Sequence, residues 1–62
     1  GTVVGVRGAQ AVDVNINGRN YNVFTYSALP RDLSQGDTVR VYGERVGDAD
    51  IRNANIAIIV NR

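Results

Sequence analysis

Residues 10–27 read Gln-Ala-Val-Asp-Val-Asn-Ile-Asn-Gly-Arg-Asn-Tyr-Asn-Val-Phe-Thr-Tyr-Ser. Apolar and polar residues alternate on both sides of Asn17-Gly18. Alternation of period two marks a strand with one face in a core. Asn-Gly between two such runs marks a hairpin, because a type I′ turn needs positive φ at both central residues. The stretch predicts one strand over residues 10–17 and the next over residues 20–27.

The turn also predicts a register. A two-residue loop places even positions of the first run opposite odd positions of the second. Val12, Val14 and Ile16 must face the core, since a slip of one residue would turn all three into water. Tyr21, Val23 and Thr25 then face inward with them. Asn20, Asn22, Phe24 and Tyr26 face outward, beside Asp13 and Asn15. Three of the four aromatic residues of the chain lie in this strand, and the register divides them into one core ring and two surface rings.

Working outward, residues 2–7 (Thr-Val-Val-Gly-Val-Arg) form a first strand, followed by a turn or bulge at Gly8-Ala9. Alternation stops over residues 28–36, Ala-Leu-Pro-Arg-Asp-Leu-Ser-Gln-Gly. Pro30 suits the first position of a helical turn, where its missing N–H does no harm, and Gly36 suits the position that ends one. A short helical turn is expected here, with Leu29 and Leu33 pointing inward. Residues 38–44 form a fourth strand with Val39 and Val41 inward and Arg40 and Tyr42 outward. A hairpin loop over residues 45–50 leads to a fifth strand over residues 51–60. In that last strand Ala54, Ile56, Ile58 and Val60 share a face, but Ile51 has the opposite parity. A β-bulge near Arg52–Asn53 reconciles them.

Size and composition narrow the class. With 62 residues the chain is a single domain, residues 1–62, and a domain of this size buries only ~60% of its unfolded surface. Ten Val and five Ile supply a β-favouring core. Cys and His are absent, so no disulfide staples the fold, and the thiolate and imidazole ligands of a structural zinc site are missing. The same absence removes the usual nucleophile–base pairs. Ser27 and Ser34 have no evident base, and nothing links Asp13 with Glu44. A non-enzymatic protein without metal or cofactor is expected. Oxygen-bearing side chains gather between Asp48 and Asn55, but their spacing departs from that of a calcium loop, and they read as residues shaping a turn. No apolar run reaches the length of a membrane span. The net charge is +1, and all seven cations are Arg. Arg offers a planar fork for phosphate or carboxylate and a flat face for stacking.

Five strands in so short a chain leave no room for a well-covered open sheet, whereas closure into a small barrel removes the exposed edges. Two five-stranded barrels compete. The OB-fold typically places a helix between its third and fourth strands, and the SH3-like barrel places a 3₁₀ turn between its fourth and fifth. The non-strand segment here follows the third strand, which favours a closed OB-fold barrel over the SH3-like alternative.

Leu33, the run Gly36-Asp37-Thr38-Val39-Arg40-Val41-Tyr42-Gly43, and Ile51, Ala54 and Ile56 resemble the second half of small bacterial OB-fold domains. Gly1, Val3 to Val6, Val14, Asn17-Gly18, Tyr21 and Val23 fit their first half. The resemblance covers most of the chain and rests on glycines and apolar positions, which speak for the barrel rather than for a ligand. It implies either a nucleic-acid-binding OB module or a secreted or periplasmic accessory domain. OB-folds usually bind oligonucleotides or oligosaccharides over strands two and three. The expected contact residues for single-stranded DNA or RNA are therefore Phe24, Tyr26 and Tyr42 as stacking rings, Asn22 beside them, and Arg7, Arg19 and Arg40 at the phosphates. The alternative partner is a protein, or a second copy, against the Phe24 and Tyr26 face. An engineered minimal barrel without ligand is the remaining reading.

Overall fold

A computed structural model describes residues 1–60. The chain is all-β, with strands β1 (Thr2–Gly8), β2 (Ala11–Ile16), β3 (Arg19–Thr25), β4 (Thr38–Val46) and β5 (Asp50–Val60). They form one ring-like sheet in the order β1-β2-β3-β5-β4. Neighbouring strands are antiparallel except β3 and β5, which run parallel. The ring closes where Thr2 pairs with Thr38. Gly1 reinforces that seam, donating its amino group to the Val39 carbonyl at 2.7 Å and accepting from the Val39 N–H at 2.8 Å.

The hairpin forms as its turn residues require. Asn17 has φ 53° and Gly18 φ 84°, and Ile16 pairs with Arg19 across a two-residue loop. Val14 then lies opposite Tyr21 and Val12 opposite Val23. Val12, Val14 and Val23 are buried, together with Val3, Leu33, Val39, Ile51, Ala54 and Ile56. Burying one such side chain stabilises by roughly 1.5–3 kcal/mol, so this small set carries most of the fold. Ile16, Tyr21, Leu29, Val41 and Ile58 pack against it from the rim. The side chain of Val60, expected on the same inner face, lies outside the described residues.

The bulge expected in the last strand is present. Tyr42 faces Asn55 and Glu44 faces Arg52, so β5 spends one residue more than β4 between those pairs. The parallel partner shows the same step, from Val23 opposite Ile51 to Thr25 opposite Ala54. Asn53 absorbs it with φ 51°, a left-handed conformation that Asn tolerates better than most residues. Ile51, Ala54 and Ile56 thereby all face inward, and Gly43 crosses them on β4. A methyl group at Gly43 would lie 2.6 Å from Ile51 Cγ2 and 2.9 Å from Ala54 Cβ.

The connection from β3 to β4 corrects one expectation. Residues 28–36 form no helical turn; two separate turns follow one another. Leu33 N–H donates to the Pro30 carbonyl at 3.2 Å, and Asp37 N–H to the Ser34 carbonyl at 3.2 Å. In a helix Ser34 N–H would donate to Pro30; here it donates instead to Asp37 Oδ2 at 2.9 Å. Asp37 is fully buried, and its reciprocal pairing with Ser34 fixes the second turn. Gly36, with φ 94°, occupies the position of that turn where a left-handed residue is needed. Pro30 opens the first turn rather than a helix. Leu33 still reaches the core and Leu29 its rim, so the apolar expectation holds while the backbone that delivers it differs.

Candidate functional site

Exposed rings define the candidate site. Phe24 on β3 is 40% exposed, Tyr26 just beyond β3 is 64% exposed, and Tyr42 on β4 is 57% exposed. These are large apolar surfaces for so small a domain. Their arrangement follows from hydrogen bonds and register.

Tyr26 N–H donates to the Ala54 carbonyl at 3.2 Å. In a parallel pair that bond sets Tyr26 level with Asn55, just as Asn22 N–H bonded to Ala49 sets Asn22 level with Asp50. Asn55 in turn faces Tyr42 across β5 and β4. Tyr26, Asn55 and Tyr42 therefore form one lateral row on the outside of β3-β5-β4. Asn55 is exposed between buried Ala54 and Ile56, so its amide points out between the two rings.

Cations flank this row. The Arg52 guanidinium lies over the Phe24 ring, 5.7 Å from its centroid, within the range of a cation–π contact. Arg40 Nη1 donates to Tyr42 Oη at 3.3 Å. Among the described residues neither Arg40 nor Arg52 has an ion-pair partner. Beside the row, a cavity of about 140 Å³ opens between Ser27, Leu29 and Pro30 of the connecting segment and Thr25 and Asn55 of the sheet.

The other expected contact residues are placed differently. Arg7 Nε donates to Asp13 Oδ2 at 2.9 Å, an ion pair across β1 and β2. Asn22 Nδ2 donates to Asp50 Oδ1 at 3.0 Å. Both side chains are thus engaged within the sheet, and the depression between Arg7, Asn22 and Phe24 measures about 20 Å³, room for one water rather than a base. Arg19 shares parity with Tyr21 and leaves the Phe24 face altogether. Its guanidinium lies 5.9 Å from the Tyr21 centroid, with Arg45 at 5.6 Å from the same ring.

The structure brings Phe24, Tyr26, Tyr42 and Arg40 onto one continuous outer surface. Arg7 and Asn22 sit beside it in internal bonds, and Arg19 lies at the end of the ring-like sheet. Arg52 and Asn55 complete the surface, although neither stands out in the sequence. Their signal was the bulge: once its extra residue is counted, Arg52 and Asn55 both fall outward.

No protein family, curated protein or solved structure matches this chain.

Proposed function

We propose that the chain is a non-enzymatic binding module of OB-fold type that takes single-stranded nucleic acid on the outside of β3-β5-β4. The strand order supports the fold reading: β1 contacts both β2 and β4, and β3 runs parallel to β5. One observation carries the ligand reading. Phe24, Tyr26 and Tyr42 lie exposed on one surface that also holds Arg40 and Arg52. Rings stack on bases at roughly 1–3 kcal/mol each, whatever the sequence, and guanidinium groups supply phosphate contacts.

The rings differ in readiness. Arg52 covers one face of Phe24, so Tyr26 and Tyr42 take the first bases, and Phe24 joins once Arg52 swings to a phosphate. The net charge of +1 makes the affinity modest, because few counterions are released.

Fluorescence titration with labelled short DNA and RNA, at low and high salt, tests the proposal. Binding is expected at low salt, weakening as salt rises. A Phe24→Ala, Tyr26→Ala double variant should lose at least tenfold in affinity, from stacking losses of about 1–3 kcal/mol per ring. Absence of binding at low salt, or unchanged affinity in a folded double variant, would sink the idea.

A further inference from the structure

The row Tyr26–Asn55–Tyr42 does more than offer rings. We infer that Asn55 reads the base that stacks beside it and gives the module a preference for adenine; this rests on the single-strand reading above.

Geometry comes first. Tyr26 and Tyr42 stand on strands to either side of β5, two strand spacings apart, or ~10 Å. That is too wide for one base to be held between both rings. Each ring takes its own base, and Asn55 faces the edges of both from the strand between. Its amide carries a donor and an acceptor on one planar group. Among the described residues it makes no side-chain hydrogen bond, so no internal partner has to be broken. Neighbouring Asn22 shows the contrast, since its amide is already committed to Asp50.

Chemistry selects the base. A carboxamide pairs in two-point fashion with adenine, accepting from the N6 amino group and donating to N7. Guanine presents two acceptors, N7 and O6, on the corresponding edge. On that edge cytosine offers a single donor, and thymine a single acceptor beside its methyl group. The flanking cations fit a strand crossing this row: Arg40 is bonded to Tyr42, Arg52 lies over Phe24, and neither has a carboxylate partner among the described residues.

Competition titrations with oligo(dA), oligo(dT), oligo(dC) and oligo(7-deaza-dA) test the inference on the intact chain and on Asn55→Ala. Two-point amide recognition is worth about 1–3 kcal/mol of discrimination, so oligo(dA) should bind roughly 5- to 150-fold tighter than oligo(dT). Asn55→Ala should bring oligo(dA) to the oligo(dT) level while leaving oligo(dT) nearly unchanged. The 7-deaza substitution, which removes the N7 acceptor, should weaken binding to the intact chain but have little effect in Asn55→Ala. A merely structural role of Asn55 would weaken all oligonucleotides alike and overturn the inference. Equal affinity of the intact chain for oligo(dA) and oligo(dT) would also overturn it while leaving the binding proposal standing. Failure of every oligonucleotide to bind would overturn both.

Discussion

Tyr26 stands level with Asn55 across the parallel seam of β3 and β5, held there by its N–H bond to the Ala54 carbonyl at 3.2 Å. Tyr21, on the same strand, stands opposite Val14 and packs on the core. The two tyrosines are five residues apart in sequence, and odd separation puts them on opposite faces of the sheet. Their energetic roles should separate accordingly.

Replacing each tyrosine by alanine tests that separation. Tyr21→Ala removes a half-buried ring and the shared partner of Arg19 and Arg45. A loss of about 1–3 kcal/mol is expected, below the range for a fully buried ring. In a domain this small, each kcal/mol moves the melting temperature by roughly 4–8 °C. Tyr26→Ala should leave the melting temperature within a few degrees and reduce oligonucleotide affinity instead. Thermal melts and titrations on the two variants, side by side, decide the matter. Equal melting losses would contradict the register.

The salt dependence of binding should report Arg40 and Arg52, neither of which has an ion-pair partner among the described residues. Each phosphate contact on a single strand contributes about 0.7 to the slope of log affinity against log salt. Arg40→Gln and Arg52→Gln should each lower that slope by roughly this amount. Arg7→Gln should lower it less, because Arg7 is held by Asp13 at 2.9 Å. Equal effects from all three would mean that the strand runs over β1 and β2 as well.

Gly43 should tolerate no side chain. A methyl group there meets Ile51 Cγ2 at 2.6 Å, Ala54 Cβ at 2.9 Å and Ala54 Cα at 3.0 Å. Ile51 and Ala54 are both buried, and the Ala54 contact cannot be relieved by a rotamer change. Overpacking of this kind costs about 1–3 kcal/mol. Gly5 is a natural control on β1, since nothing lies within 4 Å of a methyl group placed there. Urea unfolding should find Gly43→Ala clearly destabilised and Gly5→Ala close to the parent chain.

Much of this fold was legible because its signals are local. Asn17-Gly18 encodes its own dihedral angles, and the parity of Val12, Val14 and Ile16 does the rest. The mismatch between Ile51 and Ala54 announced the bulge. The segment of residues 28–36 was misread because Pro30 and Gly36 are compatible with both a helical turn and a pair of β-turns. What decided between them was the Asp37 carboxylate taking the Ser34 N–H, a competition between side chain and backbone that helix start and stop signals do not capture. The surface was half legible. Outward parity located Phe24, Tyr26 and Tyr42, but which of their neighbours are engaged depends on pairs such as Arg7 with Asp13 and Asn22 with Asp50. The second of these joins strands that alternation alone does not make neighbours. Asn55 was hidden for the same reason, because its position between two rings depends on β5 lying between β3 and β4.

The bulge at Asn53 supports both the core and the proposed site, and its backbone gives a direct test. Asn53 holds φ 51°, where most side chains are disfavoured by roughly 1–2 kcal/mol and glycine is not. Asn53→Gly should therefore fold with near-parental stability and keep its preference for oligo(dA). Asn53→Val should lose about 1–2 kcal/mol through the same backbone strain. Deleting Asn53 tests the count directly. With the extra residue gone, plain alternation places Ile51, Ala54 and Ile56 on the inner face and Asn55 on the outer one, in step with β3 and β4. The deletion variant should therefore fold cooperatively, by circular dichroism and thermal melting, and keep its preference for oligo(dA). A deletion variant that does not fold would show that β5 needs the bend of the bulge itself and not only the facing that it restores.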